Sequence, residues 1–112
     1  MNKNIIQNKS EEFALNIIQA YQTLSTEKKE YIMSKQLLKS GTSIGANVAE
    51  AQYAQSKADF TSKMSIALKE ANETKYWLNL LNKSNYYQND KLLHDCNEII
   101  RILTAIVNKS KD

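Results

Sequence analysis

Few residues in this chain have the type and spacing to do chemistry. Glu50, Glu70, Glu73 and His94 are the candidate metal ligands. A di-metal carboxylate centre in a helical bundle takes Glu-x-x-His from two helices and a Glu from each of two others. No Glu-x-x-His occurs, because the residue three before His94 is Lys91. No metal and no cofactor are therefore expected, and His94 reads as a surface or boundary residue near the start of a helix. Cys96 falls on an apolar stripe with no base placed beside it, so it reads as a core thiol. Ser40, Thr42 and Ser43 make no Gly-x-Ser-x-Gly elbow. Gly41 and Gly45 lack the following Lys-Ser/Thr of a phosphate-binding loop. No catalytic residue emerges, and the chain is expected not to be an enzyme.

Binding chemistry has more material. Lys28, Lys35 and Lys39 are spaced by seven and four, which puts them on one face of a helix. They are the candidate nucleic-acid contacts. Lys57, Lys63, Lys69 and Lys75 step by six and spiral around their helix instead. Fourteen Lys, one Arg (Arg101) and a net charge of +3 permit phosphate binding without demanding it. The plainer reading is that these lysines solvate helix faces. Asn47 and Glu50 lie at i, i+3 beside an apolar stripe, with Glu73 on the next helix. Buried together, they would form a structural polar network that fixes helix register, or a carboxylate site for a ligand. Tyr76, Trp77, Tyr86 and Tyr87 gather near one interhelix corner, where aromatics suit a protein interface or plug the bundle end.

The elements that must carry these residues are helices. The 112 residues contain no Pro and two Gly, which leaves few turn signals for an all-β fold. A single Cys excludes a disulfide framework and a cysteine zinc site. No run of apolar residues is long enough to span a bilayer, and the polar start lacks the apolar core of a signal peptide. A reducing, cytoplasmic setting is expected.

Apolar spacing predicts four helices. Residues 1–9 read as a polar, frayed N-terminus. Ser10 would cap a first helix bearing Phe13, Ala14, Ile17, Ile18, Tyr21 and Leu24. A second helix is predicted from about Glu27 to about Ala54, with Met33, Leu37, Ser40, Ile44, Val48 and Ala51 in one stripe. Gly41, Gly45 and Ala49 recur every four residues on it. They predict a tight helix crossing, with a kink as the alternative. Ser56 to Asp59 resembles a capping box that opens a third helix ending near Lys83. Asn89 or Asp90 would cap a fourth helix with a broad apolar face of Leu92, Leu93, Cys96, Ile99, Ile100, Leu103, Ile106 and Val107. Residues 10–108 would form one domain, an up-down-up-down antiparallel four-helix bundle, with 109–112 as a basic tail. A second helix much longer than the first would leave apolar surface for another subunit, so self-association is expected.

The run from Gln36 to Ala51, QLLKSGTSIGANVAEA, resembles the signature of the bacterial four helix bundle protein family. The likeness continues through Ser56-Lys57-Ala58-Asp59-Phe60 and the stretch from Ile66 to Glu73. That family was first noticed as reading frames within intervening sequences of the large ribosomal RNA gene, and was once labelled a ribosomal protein. The resemblance implies a bundle assembling as a ring, typically a homopentamer. It also implies kinship with the accessory variability protein of diversity-generating retroelements, a basic pentameric barrel that binds a reverse transcriptase and nucleic acid. Asn47, Glu50 and Glu73 match recurrent polar positions of the family, and Ser43 and Ile44 match its Ser-Ile pair. Leu38 stands where the family often has a second basic residue. Gly45 replaces its Pro, Ala51 its Gly, and Gln52 to Gln55 its basic run. The changes at Leu38 and Gln52 to Gln55 remove positive charge, and all of these departures leave the fold pattern intact.

The reading that follows is a non-enzymatic, oligomeric helical module that binds RNA or a nucleoprotein partner through its lysine-bearing face. The alternative is a protein–protein interaction scaffold with no nucleic-acid role.

Overall fold

Apolar side chains recurring every three and four residues fold the chain into helices whose inward stripes meet. A computed structural model describes residues 5–112. The helices are α1 (Ile5–Thr26), α2 (Met33–Ala51), α3 (Lys57–Lys83) and α4 (Asp90–Ser110). There is no strand among the described residues. Each helix packs on the next, α1 also meets α4, and the diagonal pairs make no close backbone approach. Close approaches run in opposite chain directions. Gly41 faces Ile17 while Gly45 faces Ser10. Ser40 meets Thr74 while Glu50 meets Lys63. Cys96 meets Ala71 while Ser110 meets Thr61. The bundle is therefore antiparallel and up-down-up-down. Its long axis, 44 Å, matches the span expected of the 27-residue α3, roughly 40 Å. No described helix is long and apolar enough to cross a membrane.

The core runs the length of the four-way seam. Ile17, Leu24, Leu37, Ile44, Leu81 and Leu103 are fully buried within it. Each such aliphatic side chain contributes about 2 kcal/mol of transfer free energy. Two helix starts are capped by side chains. Ser56 accepts from Asp59 N–H at 3.0 Å, while the Asp59 carboxylate accepts from Gln55 N–H at 3.2 Å. Asn89 accepts from Leu92 N–H at 2.9 Å.

Several expected boundaries move. The frayed segment 1–9 is helical from Ile5 onward, and residues 1–4 lie outside the described residues. Ser10 is not a cap. It lies buried inside α1, and its hydroxyl donates to the Gln7 carbonyl at 3.1 Å. The helix starts early because Ile6, four before Ser10, joins the core. α2 starts six residues later than expected, at Met33. Lys29 adopts a left-handed conformation (φ 57°) that interrupts any helix through Glu27 to Ile32. α2 also ends at Ala51, short of Ala54. It is thus 19 residues long against 22 for α1, so the expected length mismatch that motivated self-association is absent. α4 carries Lys109 inside its last turn, which shortens the tail to its final two residues.

Candidate nucleic-acid interface

Lys35 and Lys39 sit one turn apart on α2, both exposed, and neither forms an ion pair with a described residue. Lys28 does not join them on that helix. It lies in the α1–α2 connection, so the three-lysine stripe is two helical lysines preceded by one in a loop. Three other lysines are engaged, while Lys69, Lys75 and Lys83 likewise form no ion pair with a described residue. Lys9 pairs with Glu98 at 3.3 Å, Lys63 with Glu50 at 3.0 Å and Lys91 with Asp95 at 2.7 Å. Hydrogen bonding to Glu50 and to Asp95 raises the pKa of Lys63 and Lys91 respectively, so both stay charged and occupied. Lys35 and Lys39 on the outward side of α2 keep their charge unpaired among the described residues, while the approach loop carries Glu27 and Glu30 beside Lys28 and Lys29.

The expected polar network of Asn47, Glu50 and Glu73 does not form. Asn47 donates to the Ser43 carbonyl of its own helix at 2.9 Å. Glu50 turns outward, its side chain 62% exposed, onto Lys63. Glu73 accepts from the Trp77 indole at 3.3 Å. At 100° per residue, Asn47 falls on the flank of the stripe and Glu50 beyond it, so neither reaches the seam. The buried polar contact is elsewhere. The hydroxyl oxygens of Ser40 and Thr74 lie 2.9 Å apart between α2 and α3, and both residues are fully buried. The signal for this pair was a serine inside an apolar stripe, paired with a threonine three residues after the core position Ala71.

Small residues let α2 lie close to α1. A Cβ on Gly41 would meet both Cγ atoms of Ile17 at 2.8 Å, and one on Gly45 would meet Ser10 at 3.4 Å. Outside this contact a shallow groove of about 380 Å³ is lined by Ala14, Thr42, Gly45, Ala46 and Ala49, with Gln7 and Glu11 at its edge. Leu15 and Ile18 are exposed on the same helix, by 59% and 37%.

The aromatic residues divide between two places. Tyr76 and Trp77 stack edge to face on α3, with ring centres 5.0 Å apart. Tyr86 and Tyr87 lie in the α3–α4 connection, where both N–H groups donate to the Leu81 carbonyl. This end also holds Lys28. Together Lys28, Asn85, Tyr86, Tyr87 and Gln88 line an open recess of about 440 Å³. Spacing alone could not join Lys28 to Tyr86, because they are brought together by two different loops.

Cys96 is fully buried and burial pushes its thiol up to about 12, while its Sγ lies 3.4 Å from the Ala71 carbonyl. His94 is exposed on α4. Among the described residues no three His, Cys, Asp or Glu side chains converge to hold a metal ion.

Comparison with known proteins places the geometry in context. The family model described as 23S rRNA-intervening sequence protein matches residues 2–105. A solved structure is similar along almost its whole length. It is a protein of unknown function from the S23 ribosomal protein family of Bacteroides thetaiotaomicron VPI-5482. It is 50% identical, covers 96% of this chain and 99% of its own, and superposes with a TM-score of 0.92. No curated protein matches this chain.

Proposed function

Because this chain belongs to the 23S rRNA-intervening sequence protein family, we propose that it is a non-enzymatic, oligomeric helical module that binds RNA. The observation that carries this reading is the uncompensated charge of Lys35 and Lys39 on the outward side of α2, with Lys28 in the loop leading to it. A phosphate backbone seeks such charge, and one copy offers little of it. Self-association multiplies it, because symmetry repeats the same lysines around the assembly. A ring of copies, five on the family pattern, gives a continuous positive surface. The exposed Leu15 and Ile18 beside the α1–α2 groove supply apolar surface for such contacts. A monomeric mass at micromolar concentration contradicts the assembly. The same reading places the protein in the cytoplasm, where RNA and a reduced cysteine are both found.

The direct test is charge reversal at all three lysines. Lys28→Glu, Lys35→Glu and Lys39→Glu together should abolish RNA binding while leaving the circular dichroism melt unchanged, since all three side chains are exposed. Retained affinity refutes the assigned surface. A protein-interaction scaffold is the second reading, favoured by the exposed Tyr31, Ile32 and Tyr53. A partner captured equally well after nuclease treatment supports it.

A further inference from the structure

We propose, resting on the RNA-binding reading above, that the recess between the α1–α2 and α3–α4 connections is a stacking site for an unpaired nucleotide of single-stranded RNA. Two tyrosines leave α3 side by side and take opposite roles. Tyr87 packs against the core, and its phenol oxygen accepts from Asn89 at 3.1 Å. Tyr86 has no such task, and its side chain makes no hydrogen bond with a described residue. It is held 42% exposed by a backbone pinned at both tyrosines to the Leu81 carbonyl. Asn85, at φ 65°, sets the bend that turns the chain here.

The remaining lining supplies what a nucleotide needs. Lys28 reaches the same recess from the other loop and carries an ammonium with no ion pair to a described residue. Asn85 and Gln88 bring amide donors and acceptors, joined to each other only by a long contact of 3.5 Å. No carboxylate lines the recess. An exposed ring beside an unpaired cation and two amides matches base stacking, a phosphate contact and base-edge hydrogen bonds. A duplex cannot use this set, because its bases are already stacked on one another. The outward lysines of α2, by contrast, take phosphates of either form.

Fluorescence anisotropy with a labelled single-stranded 12-mer of uridine and a 12-base-pair RNA duplex tests the site on the full chain. Tyr86→Ala should weaken single-strand binding by about tenfold, the usual scale for one lost stacking contact, and leave duplex binding within twofold. Tyr86→Phe, which keeps the ring, should bind like the parent, and Lys28→Gln should flatten the salt dependence. Parental single-strand affinity in a folded Tyr86→Ala protein overturns the stacking site while leaving RNA binding on α2 intact. An equal loss for both RNA forms also overturns it. No binding of either RNA by the parent protein at low salt overturns this site and the RNA reading together, and assigns the exposed tyrosine to a protein partner.

Discussion

Gly41 and Gly45 share a helix, a face and a spacing, yet their surroundings set opposite consequences for the same substitution. A methyl group on Gly41 meets both Cγ atoms of the branched, buried Ile17 at 2.8 Å, and a β-branched side chain has little rotamer freedom with which to yield. Gly41→Ala should lower stability by roughly 1–3 kcal/mol, as overpacking does. A methyl group on Gly45 finds Ser10 at 3.4 Å, an ordinary contact. Gly45→Ala should gain roughly 0.5–1 kcal/mol from helix propensity. Thermal melts of the two variants moving in opposite directions check both. The four-residue spacing of small residues was legible in the sequence, but which glycine is filled by its neighbour was not. That depends on Ile17 lying opposite one and a backbone carbonyl opposite the other. The polar residues were less legible. Asn47, Glu50 and Glu73 read as a cluster because each flanks an apolar stripe, yet Asn47 and Glu73 find partners on their own helices and Glu50 turns outward to Lys63. Ser40 and Thr74, which do meet, are separated by 34 residues and announce themselves only as hydroxyls in core positions.

At the scale of an element, the start of α2 depends on a carboxylate outside the helix. Ile32, its first flanking residue, offers no side-chain cap. Glu30 accepts from the N–H groups of Ile32 at 3.1 Å, Met33 at 3.0 Å and Ser34 at 2.8 Å. Partial burial pushes the Glu30 pKa up, and these hydrogen bonds together outweigh it, holding the group below its ordinary 4.5. A carboxyl lowered on folding contributes stability that is complete above the unfolded value and lost as pH falls through the folded one. Glu30→Gln should therefore cost about 1 kcal/mol at neutral pH, the usual scale for a lost cap, and the gap to the parent should close below about pH 4. Melts at pH 7 and pH 3 check this, and an unchanged gap at pH 3 argues against the carboxylate's role. The two side-chain caps of α3 and α4 were readable because Ser56 and Asn89 stand directly before their helices. Glu30 was not, since it acts from three residues ahead across a left-handed Lys29. The misplaced start of α2 and the misplacement of Lys28 on that helix follow from this one unread turn.

For the whole molecule, four apolar stripes with short connections leave little choice but a four-helix bundle, which is why the architecture was legible. Surface use is different, because lysine spacing constrains a face only where the helix containing it is correctly bounded. Lys35 and Lys39 keep their shared face, while Lys28 moves to the bundle end and meets Tyr86 there. The central claim is that this charge is for RNA rather than for solubility. The most direct measurement is the affinity of the parent protein for single-stranded RNA across a salt series. Three phosphate contacts per copy predict that log affinity falls with log salt at a slope of about −2 per copy engaged. A steep slope of that size supports the account, and no binding at low salt contradicts it.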